Sequence, residues 1–146
     1  MSTVYTIGFT KKSAEDFFSI LVKNNVRVLL DIRLNNTSQL AGFSKYPDIK
    51  FFTNEIAKIK YIHDDFFSPT DDILKSYKHK EITWEEYEKS FDELMKERNI
   101  EEYIRKNYAN LDRFCLLCSE EKSDKCHRRL VAEKMAEIYN MDIIHL

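Results

Sequence analysis

The sequence predicts a single α/β domain over residues 1–146, with a mostly parallel sheet of about five strands and helices on both faces. Short apolar runs alternate along the chain with longer amphipathic segments, as expected when strands and helices alternate. Within residues 27–33, Val28, Leu29, Leu30 and Ile32 form a nearly continuous apolar run, which is typical of a strand buried on both faces. Only two glycines and two prolines occur, so no stretch has the composition of a flexible linker.

The individual elements follow from local pattern. Apolar or β-rich runs predict strands at residues 4–9, 27–33, 60–63, 113–118 and 142–146. Helical spacing of apolar residues predicts helices at residues 13–24, 48–58, 83–98, 100–108 and 126–140. Ser13 with Asp16, and Thr83 with Glu86, resemble N-terminal capping boxes. Residues 66–80 fit no single class, and residues 34–47 read as a long polar loop.

Composition narrows the class of protein. A net charge of −2 argues against a strongly electrostatic nucleic-acid binder, although a local basic patch stays compatible with it. No apolar run reaches the roughly 18 residues that span a bilayer, and no signal-peptide pattern opens the chain, so no membrane partner is expected. Three cysteines, an odd number, do not suit a secreted disulfide framework. The expected location is the cytoplasm, with reduced thiols.

The carboxyl ends of parallel strands are where α/β proteins bind ligands, and polar residues stand at these ends. Asp31 and Arg33 end the most apolar strand and share one face by alternation, so they need water, a partner or a ligand. They form either a structural ion pair or part of a site in which Arg33 binds an anion. His63 follows another strand and reads more readily as a structural residue. The loop 34–47 brings Ser44 and Lys45, which we expect to join a binding site.

The segment from Cys118 to Arg128 holds the remaining candidates. Cys115 lies within a strand and reads as a buried apolar residue. Cys118 ends that strand, and Cys126 is predicted in the first turn of the next helix, with Ser123 or Asp124 as N-cap. A helix N-terminus and neighbouring basic residues would stabilise a thiolate or bind an anion there. The segment therefore suits a nucleophile, an anion site or simple packing.

A zinc site is an alternative for the same segment. Cys118, Cys126 and His127 are ligand types that zinc takes, with Glu120 or His63 as a fourth. The two cysteines are eight residues apart, however, and structural zinc sites favour closely spaced pairs. We therefore predict no metal and no cofactor.

Several short motifs, taken together and in order, resemble the DUF488 family over essentially the whole chain. They are Thr6-Ile7-Gly8, Asp31-Ile32-Arg33, Phe43-Ser44-Lys45, Tyr61-x-His63, Cys118-x-Glu120 and Cys126-His127-Arg128. The resemblance implies the fold and the location of a site at these motifs, with no reaction attached. The chain departs from the family pattern at Phe9, where the family often has histidine, and at Asn36 and Gln39, which replace a proline and an arginine.

The resulting hypothesis is a small enzyme that acts on an anionic, phosphate- or nucleotide-like substrate. Cys126 would be the nucleophile or a thiol of the anion site, and His127, Asp31 and Glu120 would be candidates for proton transfer. The predicted binding residues are Gly8, Arg33, Ser44, Lys45, Cys118 and Arg128. The alternatives are a non-catalytic module that binds a nucleotide or nucleic acid and a zinc-stabilised structural domain. All of these sites require Asp31 and Cys126 to lie at the same end of the sheet.

Overall fold

The computed structural model describes residues 2–37, 42–120 and 122–146, and within them five parallel strands form one sheet. In chain order the strands are β1 (Thr3–Gly8), β2 (Val28–Asp31), β3 (Lys60–His63), β4 (Phe114–Cys118) and β5 (Asp142–His145). Their order in the sheet is β3-β2-β4-β1-β5. All neighbouring pairs are parallel, which confirms the predicted α/β class and sheet type.

Helices connect the strands on both sides. They are α1 (Ala14–Lys23), α2 (Asp48–Phe51), α3 (Asp71–Lys78), α4 (Trp84–Glu97), α5 (Ile100–Asn107) and α6 (His127–Tyr139). Short 3₁₀ turns lie at Gly42–Ser44 and Asp65–Phe67. The segment that the sequence left unassigned contains α3. The predicted loop 34–47 is described only in part, because residues 38–41 lie outside the described ranges.

Two helix boundaries differ from the prediction. The helix expected over residues 48–58 is α-helical only to Phe51 and continues as a single π turn, Phe52–Ile56. Helix α6 begins at His127, and Cys126 is itself the N-cap, so the prediction of Ser123 or Asp124 at that position is wrong. The reason is the backbone of Cys126, which is extended at φ −143° and ψ 141° and cannot belong to a helical turn.

The two faces of the sheet support two separate cores. One face buries Val4, Leu30 and Leu116 under α4, α5 and α6. The other buries Ile7 and Leu29 under α1 and α2, which contribute Phe17, Leu21 and Ile49. Side chains alternate between faces along each strand, so a strand with both faces covered needs apolar residues at successive positions. This explains the continuous apolar run that predicted β2.

Helix α4 starts as the sequence predicts. The Thr83 hydroxyl accepts a hydrogen bond from the Glu86 amide, and the Glu86 carboxylate accepts one from the Thr83 amide. This capping box satisfies two amides that the helix cannot pair internally. At α1, Ser13 accepts a bond from the Asp16 amide. The capping box predicted for α4 is therefore confirmed, and at α1 the Ser13 half of the predicted box is confirmed.

No helix in the described part of the chain is both long enough and apolar enough to cross a membrane.

The loop after β4 crosses directly over the end of β1. A Cβ atom added at Gly8 would lie 1.6 Å from the Glu120 carbonyl oxygen. The crossing is reinforced by Thr10, whose amide and hydroxyl both donate to the Ser119 carbonyl, at 3.2 and 2.5 Å. Only a residue without a side chain permits this approach of the two backbones. Gly8 thus fixes where the Cys118 loop leaves the sheet.

We predict that Gly8→Ala destabilises the protein, because the added methyl group must displace the backbone of Glu120. Overpacking of this kind costs about 1–3 kcal/mol. The matched control is Gly42→Ala, because a Cβ atom at Gly42 meets nothing within 4 Å. Urea unfolding of both variants measures the difference. Equal stability of Gly8→Ala and the wild type would contradict the described crossing.

Candidate functional site

The carboxyl edge of the sheet carries a cavity of about 560 Å³. It lies where the connections diverge: the chain leaves β2 toward the face with α2 and leaves β4 toward the face with α6. A crevice at such a divergence is where open α/β sheets bind ligands. The lining residues include Arg33, Tyr77, Lys78, Lys80, Trp84, Tyr87, Cys118, Glu120, Lys125, Cys126 and His127.

A buried ion pair closes the end of β2. Asp31 is 0% exposed and Arg33 only 2%. The Arg33 Nε and Nη2 atoms donate to the two carboxylate oxygens of Asp31, at 2.8 and 2.7 Å. The Tyr61 hydroxyl donates to the same carboxylate at 2.5 Å. Both oxygens of Asp31 are therefore occupied, and the described lining of the cavity does not include this residue.

The Arg33 guanidinium makes further contacts besides those with Asp31, and one of its nitrogen atoms makes no hydrogen bond to the described part of the chain. Nη2 also donates to the Ser44 carbonyl at 2.7 Å, and the group lies 5.4 Å from the centre of the Phe9 ring. Nη1 is buried and has no hydrogen-bond partner among the described residues. Burial lowers the pKa of Arg33, but Asp31 offsets this effect and the net pKa is raised. Arg33 is therefore a fixed cation with one spare donor beside the cavity.

His127 is oriented by the backbone of another strand. Its Nε2 atom lies 2.8 Å from the Ile32 carbonyl oxygen, and its Nδ1 atom lies 3.4 Å from Cys118 Sγ. A carbonyl oxygen only accepts, so Nε2 carries a hydrogen. In neutral imidazole the other nitrogen is then an acceptor. His127 Nδ1 can therefore take a proton from the thiol of Cys118.

The pKa values of the two thiols that line the cavity, Cys118 and Cys126, are shifted in opposite directions. A hydrogen bond from Cys126 lowers the pKa of Cys118, with help from the Ser119 amide and Arg128 and against burial. The same hydrogen bond raises the pKa of Cys126 well above its usual range, burial adds to this, and His127 partly offsets it. Cys115, buried in the sheet, has a raised pKa because of desolvation.

Arg128 holds the cysteine loop from below. It is 1% exposed, and its Nη1 atom donates to the Glu120 carbonyl at 2.5 Å and lies 3.7 Å from Cys126 Sγ. Its positive charge stands beside both thiols. Arg128 is not among the described residues that line the cavity. Its contacts therefore favour a positioning role over the predicted contact with substrate.

The predicted site residues thus fall into three groups. Arg33, Cys118, Glu120, Cys126 and His127 line the cavity together. The second group supports them from behind and consists of Gly8, Asp31, Ser44 and Arg128. Lys45 is exposed after the 3₁₀ turn and does not line the cavity. Gln39 lies outside the described residues. Asp31 and Cys126 do share one end of the sheet, since Ile32 binds His127, the neighbour of Cys126.

A family model described as "Domain of unknown function DUF488" matches residues 13–135. The chain belongs to this family. The match contains the motifs from Asp31 to Arg128 that build the cavity, and Gly8 precedes it. No curated protein and no solved structure matches the DUF488 chain.

Three side chains of this DUF488 chain could hold a metal ion. The ligand atoms of Cys118, Cys126 and His127 all lie within 4.8 Å of one another, and no other described group of this kind was found. His127 also has the carbonyl partner that orients metal-binding histidines. The set is one ligand short of a closed zinc site, and the Arg128 guanidinium lies against Cys126. That fixed positive charge disfavours a cation and favours an anion at this point.

Sequence reasoning missed the walls of the DUF488 cavity. Trp84 and Tyr87 belong to the helix predicted at residues 83–98, whose apolar residues indicated only packing, yet they stack at 4.9 Å and line the cavity with Tyr77. The rim adds exposed Lys78, Lys80 and Lys125. Basic residues outnumber acidic ones in the described lining, but the net charge of −2 for the whole chain does not reveal this local excess. A local signal existed only for Lys125, which directly precedes the Cys-His-Arg motif.

We predict that Asp31→Asn destabilises this DUF488 protein by about 3–5 kcal/mol, because it leaves Arg33 as an uncompensated buried charge. The matched control is Asp92→Asn, which breaks the exposed pair with Lys96 (3.2 Å). Exposed pairs at this spacing contribute only about 0.3–0.5 kcal/mol. Thermal or denaturant unfolding separates the two. Comparable small losses in both variants would show that the Asp31–Arg33 pair does not stabilise the fold.

Proposed function

We propose that the protein is a small cysteine-dependent enzyme that transfers or hydrolyses a group of an anionic, phosphate- or nucleotide-like substrate. The single contact that supports this proposal most is the 3.4 Å approach of Cys118 Sγ to His127 Nδ1 at the floor of the cavity. A nucleophile beside a base that a third group orients is the recurring arrangement of covalent catalysis. Here the Ile32 carbonyl orients the base.

The residues would share the reaction as follows. His127 Nδ1 takes the proton of the Cys118 thiol, and the sulfur attacks the electrophilic atom of the substrate. The bond to the leaving group breaks as the sulfur bond forms, and His127 returns the proton to the leaving group. Water then attacks the thiol-bound intermediate, with His127 as base. The contact of His127 Nδ1 with Cys118 Sγ, together with the lowered pKa of Cys118, supports Cys118 as the nucleophile. The sequence-based hypothesis of Cys126 in that role stays a prediction.

The lining supports an anionic substrate with a flat group. The spare Nη1 donor of Arg33 is a buried contact point for an anion. The lysines of the rim add positive charge at the mouth, with Glu120 as the acidic residue among the described lining. Tyr77, Trp84 and Tyr87 form an aromatic part of the lining, which favours a substrate that carries an aromatic group such as a base. Because the reaction needs a reduced thiol, we propose that the protein works in the cytoplasm.

The nucleophile can be identified without knowing the substrate. We predict that iodoacetamide alkylates Cys118 of the native protein before the other cysteines. At neutral pH the rate should be roughly tenfold higher than the rate at which the same reagent alkylates the thiol of free glutathione, because the Cys118 thiolate persists to lower pH. The rate should fall as the pH drops below the lowered pKa of Cys118. Peptide mapping by mass spectrometry identifies the modified residue.

Three variants make this assignment sharp. Cys118→Ser should abolish the fast phase, Cys126→Ser should retain it, and Cys115→Ala is the matched control that should leave it unchanged. A fast phase that disappears in Cys126→Ser and survives in Cys118→Ser would transfer the nucleophile role to Cys126. Slow, equal labelling of all thiols would remove the proposed chemistry.

A comparison of a charged and a neutral alkylating reagent tests whether the cavity binds anions. We predict that the ratio of the alkylation rate of Cys118 by negatively charged iodoacetate to its rate by neutral iodoacetamide is raised, because Arg33 and the rim lysines attract the anion. The ratio of the two rate constants should fall by roughly a factor of two to five in Lys80→Ala or Lys125→Ala, and salt should reduce it further.

Lys50→Ala is the control for charge alone, since Lys50 is an exposed lysine on α2, at the other face of the sheet. A reagent ratio that changes equally in all three lysine variants would reflect net charge and would refute the anion site.

A further inference from the structure

We propose a second activity for the thiol pair: reduction of hydroperoxides, in which Cys118 is oxidised and Cys126 then closes a reversible disulfide with it. This inference shares Cys118 with the proposed function but does not depend on an anionic substrate. It accounts for a feature that group transfer leaves unused, a second buried thiol next to the reactive one.

The positions of the two sulfurs carry the argument. The ligand atoms of Cys118, Cys126 and His127 lie within 4.8 Å of one another, so the two sulfurs are separated by no more than this distance. Both cysteines line the same cavity and are free thiols. A disulfide brings the sulfurs to about 2.05 Å, so the closure requires a movement of a few ångströms at most.

The backbone at Cys126 permits that movement. Cys126 precedes α6 with an extended backbone, and its side chain makes no capping hydrogen bond to the helix. Turning its sulfur toward Cys118 therefore costs the helix none of its N-terminal hydrogen bonds. Cys118, by contrast, is fixed at the end of β4, paired opposite Gly8 of β1. A reactive thiol with a second thiol beside it is the arrangement in which a resolving cysteine closes a disulfide.

Cys115 cannot take either role. It is 0% exposed, and it packs in the core on the α1 face with Ile7 and Leu29. Its position three residues before Cys118 in a strand directs it to the opposite side of the sheet. It therefore provides an internal control.

A hydroperoxide is the oxidant in this reaction. The Cys118 thiolate attacks the distal oxygen, the O–O bond breaks, and the alcohol leaves after it takes a proton from His127. Cys118 is then a sulfenic acid. The Cys126 sulfur attacks the Cys118 sulfur, the S–S bond forms, and the hydroxyl leaves as water with the proton of Cys126. Two thiols thus supply the two electrons that reduce the peroxide, and an external thiol such as dithiothreitol reopens the disulfide.

Hydrogen peroxide acting on the reduced, full-length protein tests the proposal. We expect the count of free thiols to fall from three to one, with a loss of two hydrogen masses and a cross-linked peptide joining Cys118 to Cys126. In Cys115→Ala the same cross-link should form. In Cys126→Ser, oxidation should stop at a sulfenic acid on Cys118 that dimedone traps. In Cys118→Ser, Cys126 should remain a thiol.

The outcomes separate this inference from the proposed function. Peroxide should abolish the fast alkylation of Cys118, and dithiothreitol should restore it. Fast alkylation of the reduced protein together with peroxide oxidation straight to a sulfinic acid, or with a cross-link that includes Cys115, would overturn the disulfide and leave the proposed function standing. If a Cys118–Cys126 disulfide forms but iodoacetate has no rate advantage that depends on the rim lysines, the disulfide stands and the anionic substrate of the proposed function is refuted. Circular dichroism of each variant verifies that the fold is intact.

Discussion

The buried pair of Asp31 and Arg33 is the interaction on which the rest of the site depends. Two charges without solvent are stable only when the geometry of their pairing is good and the remaining donors find partners. The bidentate contact, the Tyr61 hydroxyl and the Ser44 carbonyl supply this geometry. The Asp31 carboxylate also accepts a hydrogen bond from the Arg33 amide at 3.2 Å, so the pair holds the backbone just after β2 as well.

The backbone carbonyls just after β2 organise the neighbouring elements. The Ile32 carbonyl accepts hydrogen bonds from Ser68 and from His127, and the Arg33 carbonyl lies 2.8 Å from His63 Nε2. The orientation of His127 is therefore set from β2, although the residue belongs to α6. Its free nitrogen meets a cysteine that belongs to β4. Three elements that are distant in the chain have to be in register before the thiol and the imidazole face each other.

The division of labour between the cysteines follows from that geometry and not from residue type. Cys126 directly precedes His127 and Arg128, which made it the natural candidate for the nucleophile in the sequence. In the fold His127 Nδ1 lies 3.4 Å from Cys118 Sγ, and the hydrogen bond with Cys126 lowers the pKa of Cys118. Similarly, Lys45 follows a conspicuous motif but lies away from the cavity, whereas Lys78 and Lys80 come from a segment with no recognisable pattern and line it. Phe9, where the family often has histidine, packs its ring against Arg33.

The sequence by itself determined the alternation of strands and helices, the two-sided burial of β2, the capped start of α4 and the grouping of the polar motifs at one edge of the sheet. These features depend on period and on local hydrogen bonds, which a linear pattern records. Only the tertiary structure decided which sulfur meets the imidazole, which cations reach the cavity and which residues hold others in place. Such contacts join residues as far apart as Ile32 and His127, and a shift of one or two ångströms between elements makes or breaks them.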